Sequence, residues 1–153
     1  MSRSTQDVDI NVFVKPDELD RLLSVLTANG VELDASKART AGLEDGVFFT
    51  WSGHTRIDVF LPSIDLSWEA MRTRVRVMVE GQATWFLSPE LLSCFKLLFF
   101  RPKDLLDLER LVSTSTSLNA SRVRELIVGV MGEDDERVRA WDDIVTRFRP
   151  ASS

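Results

Sequence analysis

Cysteine and histidine are nearly missing from this chain: Cys94 and His54 are the single examples of each. One thiol allows no intrachain disulfide and no cysteine-based zinc cage. One histidine leaves no basis for a histidine-rich metal site and little for a Ser-His-Asp triad. Cys94 sits in an apolar helical stretch, the setting of a buried structural thiol rather than a nucleophile. His54 follows Ser52-Gly53 and reads as a solvated turn residue. Long apolar runs are lacking too. Nothing approaches the roughly 18–20 residues that span a bilayer, and Met-Ser-Arg-Ser-Thr-Gln has no apolar signal core. No membrane partner is expected, and the composition fits a reducing cytoplasm. A basic surplus is also absent. The formal net charge of −5 speaks against general DNA binding, although it leaves room for a local basic groove.

What remains is ordinary globular material: 153 residues, 44% of them apolar. That length supports one domain with a real core. The patterning predicts an α+β fold, a small mixed sheet with flanking helices followed by a C-terminal helical portion. It is expected as a single domain over 1–150, with a sheet-containing part at 1–87 and a helical part at 88–150. Val8 to Val14 reads as a strand that ends at Lys15-Pro16. Leu19, Leu22, Leu23 and Leu26 then repeat at helical spacing until Asn29-Gly30 stops them. Residues 31–46 are polar and read as a variable connection. Val47 to Trp51 and Arg56 to Leu61 form a predicted hairpin around Ser52-Gly53-His54. Trp68 to Thr73 reads as a short helix. Val75, Val77 and Val79 alternate ahead of Glu80-Gly81-Gln82, with a return strand over Ala83 to Leu87. From Ser88 the chain reads as helices: Ser88-Pro89-Glu90 supplies a cap and a first-turn proline. Leu91, Leu92, Phe95, Leu98 and Phe99 are expected to bury that helix. Pro102 interrupts it, a second helix runs from about Lys103 to Val112, and two more follow from Asn119 and Asp135.

Two clusters carry candidate chemistry. Asp7 and Asp9 are one residue apart in a strand, so they point to one face. Such a pair repels itself unless something positive lies between, and Mg²⁺ takes carboxylates together with substrate phosphates. The bland alternative is the solvated face of an edge strand. Asp58 interrupts an apolar strand, where a charge needs a partner. If that strand lies beside the first, three carboxylates can hold one or two Mg²⁺ ions for phosphoryl transfer. Otherwise Asp58 pairs with Arg56, Arg74 or Arg76. The second cluster runs from Phe95 to Leu108. Lys96 stands among apolar neighbours, Asp104 and Asp107 share a helix face and can anchor Lys96 or Arg101, and Arg101 and Lys103 precede a helix start where phosphate can bind. A salt-bridged helix junction is the structural alternative there.

Ser4-Thr5-Gln6-Asp7-Val8-Asp9-Ile10 resembles the Thr-x-Asp-[Ile/Val]-Asp segment of the minimal nucleotidyltransferases. These belong to the DNA polymerase β-like nucleotidyltransferase superfamily. Leu87 to Glu90 through Lys96, and on to Arg101-Pro102-Lys103-Asp104-Leu105-Leu106-Asp107-Leu108, is similar to the helical motif of the same proteins, including the abortive-infection toxin type. The resemblance implies Mg²⁺ at Asp7, Asp9 and Asp58, the catalytic acids. It implies nucleotide contacts from Ser4, Thr5, Lys96, Arg101, Lys103 and Asp104. The implied reaction moves a nucleoside monophosphate from a nucleoside triphosphate to a protein or RNA hydroxyl. Family members place a Gly-Ser or Gly-Gly turn before the paired acids to cradle the triphosphate. Here none of the six residues before Asp7 is glycine, so a shortened and impaired form is expected, with a sheet edge left open. Two other readings remain: a non-catalytic regulatory protein, such as one half of a toxin–antitoxin pair, and a Mg²⁺-dependent nuclease. The nuclease leaves the Lys96 to Asp107 pattern unexplained.

Overall fold

The computed structural model describes residues 7–149. In chain order the elements are β1 (Asp7–Asn11), α1 (Leu19–Ala28), α2 (Ala35–Glu44), β2 (Val47–Ser52), β3 (Thr55–Phe60), α3 (Asp65–Thr73), β4 (Val75–Val79) and β5 (Gln82–Phe86). The helices α4 (Pro89–Phe99), α5 (Pro102–Thr114), α6 (Ala120–Met131) and α7 (Glu136–Phe148) follow. The fold is α+β, as the patterning predicts. The chain divides into two compact units, Met1–Trp68 and Glu69–Ser153. This division falls earlier than the change from sheet to helix at 87/88, so the second hairpin groups with the helices that follow it.

In the first unit the strand order is β1-β3-β2. β1 runs parallel to β3, with Asp9 opposite Asp58, and β2 is antiparallel to β3, with Phe49 opposite Asp58. Strand alternation sends Phe48 and Val59 into a core with Leu19 and Leu23 of α1 and Ala38 of α2; Ile10, Ile57 and Leu61 pack around it. A single 3₁₀ turn, Pro16–Glu18, leads into α1, with Glu18 accepting from the Lys15 backbone N–H at 2.9 Å. β1 stops at Asn11, short of the predicted Val14. One further bond, from Val12 N–H to the Phe60 carbonyl at 2.9 Å, carries the pairing a step beyond.

The stretch predicted as a connection, 31–46, contains α2. Its N-cap Asp34 accepts from the Lys37 backbone N–H at 3.1 Å. Its buried face is made of Ala38 and Gly42, so it lacks the large apolar stripe by which helices are recognised. Gly42 is required by closeness: a Cβ there would lie 3.1 Å from both Leu19 and Leu61 side chains. Small residues let α2 settle onto α1 and the sheet, at the usual helix-propensity cost of about 1 kcal/mol for glycine.

In the second unit β4 and β5 form an antiparallel hairpin closed by Glu80 and Gly81, both at positive φ. The helices pack α4 against α5, α6 and α7, and α7 against α5 and α6. The expected cap Ser88 is present, and Asn119 and Asp135, where helices were expected to start, cap them too: the three accept from the backbone N–H of Leu91, Arg122 and Arg137. The buried face of α4 is Leu91, Ser93, Cys94 and Leu97. Leu92 and Phe99, expected inside, are exposed. Ser93 is tolerated in the core because its hydroxyl donates to the Pro89 carbonyl at 2.8 Å. Trp141 of α7 is fully buried and anchors its indole N–H on the Ala120 carbonyl at 3.1 Å. Arg149 closes the unit by donating to the carbonyls of Val112, Ser115 and Leu118.

Candidate functional site

The acids of the first unit meet on the sheet face that points away from its core. Register and alternation place Asp7 and Asp9 of β1, Arg56 and Asp58 of β3, and Phe49 and Trp51 of β2 on that face. Asp9 stands directly opposite Asp58, and Asp7 opposite Arg56. Neighbouring strands lie about 4.8 Å apart, so the Asp9 and Asp58 carboxylates are within mutual reach. The strand of Asp58 thus lies beside that of Asp7 and Asp9, and the three acids share a face. Among the described residues no three histidine, cysteine, aspartate or glutamate side chains converge as a ready-made metal cage. Mg²⁺ commonly takes only one or two carboxylates, with phosphates and water completing its shell.

Arg56 sits in the middle of this face. Its Nε donates to Asp58 Oδ1 at 2.7 Å, and its guanidinium lies over the Phe49 ring, 4.7 Å from the centroid. The hydrogen bond to Asp58 raises its pKa above the ordinary arginine value; burial opposes, and the charges of Asp58, Asp7 and Asp9 add to the rise. The Arg56–Asp58 pairing allowed as an alternative is thus realised. Among the described residues no other cation is paired with these acids. Among the described residues three carboxylates stand against one guanidinium on this face, a surplus of negative charge. Phe49 and Trp51 were not singled out from the sequence. Their signal is the alternation of β2, in which Phe48 and Thr50 are buried while Phe49 is 59% exposed and Trp51 43% exposed.

The second cluster lies between α4 and α5. Lys96 Nζ is 2.7 Å from Asp107 Oδ2 and 3.7 Å from Asp104 Oδ1. Arg101 grips Asp104 with Nε at 2.6 Å and a second guanidinium nitrogen at 3.2 Å, and Asp104 also caps α5 by accepting from the Arg101 backbone N–H. Asp104 is only 1% exposed. Burial pushes its pKa up, but Arg101, by side chain and backbone, and then Lys96 outweigh that, and the net shift is downward. Lys96 thus has the acid partners that its apolar surroundings demand. α5 begins at Pro102, so Lys103 lies inside the first turn and not ahead of it; its side chain is exposed. Cys94 is buried, and that burial pushes its thiol up to about 12, which suits a structural residue.

The structure therefore places Asp7, Asp9 and Asp58 on one sheet face of the first unit without gathering all three at one point, and joins Lys96, Arg101 and Asp104, with Asp107, in the second. Ser4 and Thr5 lie outside the described residues. No helix among the described residues is long and apolar enough to cross a membrane. No protein-family model and no curated protein matches the chain.

Proposed function

We propose that the chain is a nucleotidyltransferase-like protein in which the acidic face of β1 and β3 binds Mg²⁺ with a nucleoside triphosphate. One observation carries the reading: parallel pairing sets Asp9 opposite Asp58 with Asp7 on the same face, and Arg56 is their only paired cation among the described residues. That arrangement fits a divalent ion that also holds phosphate oxygens. Asp9 and Asp58 would hold the ion, with Asp7 contributing from one step along the strand. The ion would neutralise charge on the transferring phosphoryl group while a protein or RNA hydroxyl attacks. Lys96, Arg101, Lys103 and Asp104, the nucleotide contacts that the resemblance implies, carry no part of this proposal, since Lys96, Arg101 and Asp104 are engaged in ion pairs at a helix junction of the second unit. The test is Mg²⁺-dependent transfer of label from α-labelled nucleoside triphosphates to RNA and to protein. The expected result is weak transfer, lost in the Asp7→Ala, Asp9→Ala double variant. Transfer that survives the double variant would refute the assignment.

A second reading, a non-catalytic regulatory or toxin–antitoxin partner protein, draws on the β4–β5 hairpin. Val75, Val77, Val79 and Phe86 are exposed on one uncharged face, and among the described residues neither strand pairs with a third. Isolated two-stranded sheets are marginal in water, so this surface favours a bound protein. Stoichiometric co-purification of a second protein, without Mg²⁺-dependent nucleotide binding, would select this reading over the first.

A further inference from the structure

We infer that the free edge of β4 is a self-association edge, on which a second copy of this chain pairs antiparallel, β4 against β4. This goes beyond both functional readings and gives the hairpin surface a different occupant. Val79 and Gln82 pair with each other across a two-residue loop, Glu80-Gly81. The residues flanking such a loop form a hydrogen-bonded pair, and the pattern alternates from there. Val75, Val77 and Val79 therefore use their backbone groups on β5, whereas Arg76 and Met78 turn theirs outward. All five residues of β4 are exposed, and among the described residues no backbone bond reaches its outer edge.

The charges along this edge complement their own reverse. Arg74 and Arg76 stand at the start of the strand, and Glu80 directly follows its end. A two-fold axis at Val77 brings Arg74 of each copy beside Glu80 of the other and sets Arg76 opposite Met78. Those last two are the residues whose backbone groups are free, and the axis falls on a non-hydrogen-bonded pair, where side chains lie closest. The valines of both copies then share one face, Val77 against Val77 and Val75 against Val79. In-register parallel pairing would instead lay each arginine beside its own copy. Arg74 is already held at its end of the strand by the Trp85 ring, 4.6 Å from the centroid, so pairing has less side-chain freedom to remove. Association turns two marginal two-stranded ribbons into one four-stranded sheet. A strand edge alone buries well under the ~1,600 Å² of a standard complex, so the dimer is expected to be concentration-dependent.

The experiment is sedimentation equilibrium of the full chain from micromolar to millimolar concentration, with circular dichroism as the check of folding. The proteins compared are the native chain, Glu80→Lys, Arg74→Glu and Met78→Pro. The native chain is expected to show a monomer–dimer equilibrium. Each charge reversal turns both attractive ends of the dimer repulsive, and is expected to weaken it about tenfold. Mixing the two charge variants sets acidic ends against basic ones and is expected to restore association. Met78→Pro removes an outward N–H without touching a bond to β5, and is expected to leave a folded monomer. Should Arg74→Glu not fold, Glu80→Lys decides the question by itself, because Glu80 lies in an exposed turn. A dimer of native affinity in both Glu80→Lys and Met78→Pro would overturn the proposal. So would a native monomer at every concentration, and a monomer that holds a different protein through β4 would give the hairpin to that partner instead.

Discussion

On the outer face of the β1–β3 pair, among the described residues, three aspartates stand beside one arginine, which pairs with Asp58; between α4 and α5, two aspartates meet a lysine and an arginine. Both are clusters of acids and bases, and they differ in balance and in burial. Asp104 is 1% exposed, doubly gripped by Arg101 and placed to cap its own helix, so its charge is spent inside the fold. Asp7 and Asp9 are exposed, and Asp58 is paired with Arg56. A buried, compensated cluster stabilises by its pairing and costs stability when any member is lost. An exposed, uncompensated one costs a little stability as it stands and recovers it when a cation arrives. The comparison separates a junction that holds two helices from an exposed acidic face, the one proposed above to take a ligand.

Breaking the buried cluster gives the largest effect. Asp104→Ala removes a buried acid, two ion pairs and the α5 cap, and urea unfolding should report a loss of about 2–3 kcal/mol. That is below the full cost of orphaning a buried charge, because Arg101 is half exposed and Lys96 retains Asp107. A loss below about 0.5 kcal/mol, the level of an ordinary surface substitution, would remove the distinction between the two clusters.

Acid sharpens the same contrast. Asp104 has a folded-state pKa below its ordinary value, so the unfolded chain takes up that proton first. Its contribution is complete above the ordinary aspartate value of about 3.9 and is lost as pH falls through the lower folded value. Urea midpoints measured between pH 5 and pH 2 should therefore fall more steeply in the native protein than in Asp104→Asn. Parallel slopes would mean that the cluster carries no linkage.

The smallest effect has the opposite sign. Asp9→Asn removes one of two like charges facing each other across the strands, and should leave the protein as stable or more stable by up to about 1 kcal/mol at low salt. The gain should fade as salt rises. A marked destabilisation would mean that Asp9 has a structural partner after all.

The legibility of the chain follows the same physics. Helices with large apolar stripes or capping signals, such as α1, α6 and α7, could be read directly, because Leu19 and Leu23, Val123 and Ile127, and Val138 and Trp141 repeat at helical spacing. α2 could not, because its buried face is Ala38 and Gly42 and its fit depends on Leu19 and Leu61, which are distant in sequence. On α4 the inner face takes Ser93 where the pattern expects Leu92 and Phe99, because a serine does not advertise burial, whereas Cys94 is buried as its apolar setting predicts. The acids of the sheet face were legible as candidates from Asp7, Asp9 and Asp58 alone. The roles of Arg56 and Phe49 depend on strand register, which no local pattern states.

The most direct test of the difference between the two clusters is paramagnetic broadening by Mn²⁺ in amide NMR spectra of the full chain. The account requires broadening centred on β1 and β3, around Asp9 and Asp58, with α4 and α5 around Lys96 and Asp104 left sharp. Broadening centred on the α4–α5 junction, or none at either place, would contradict it.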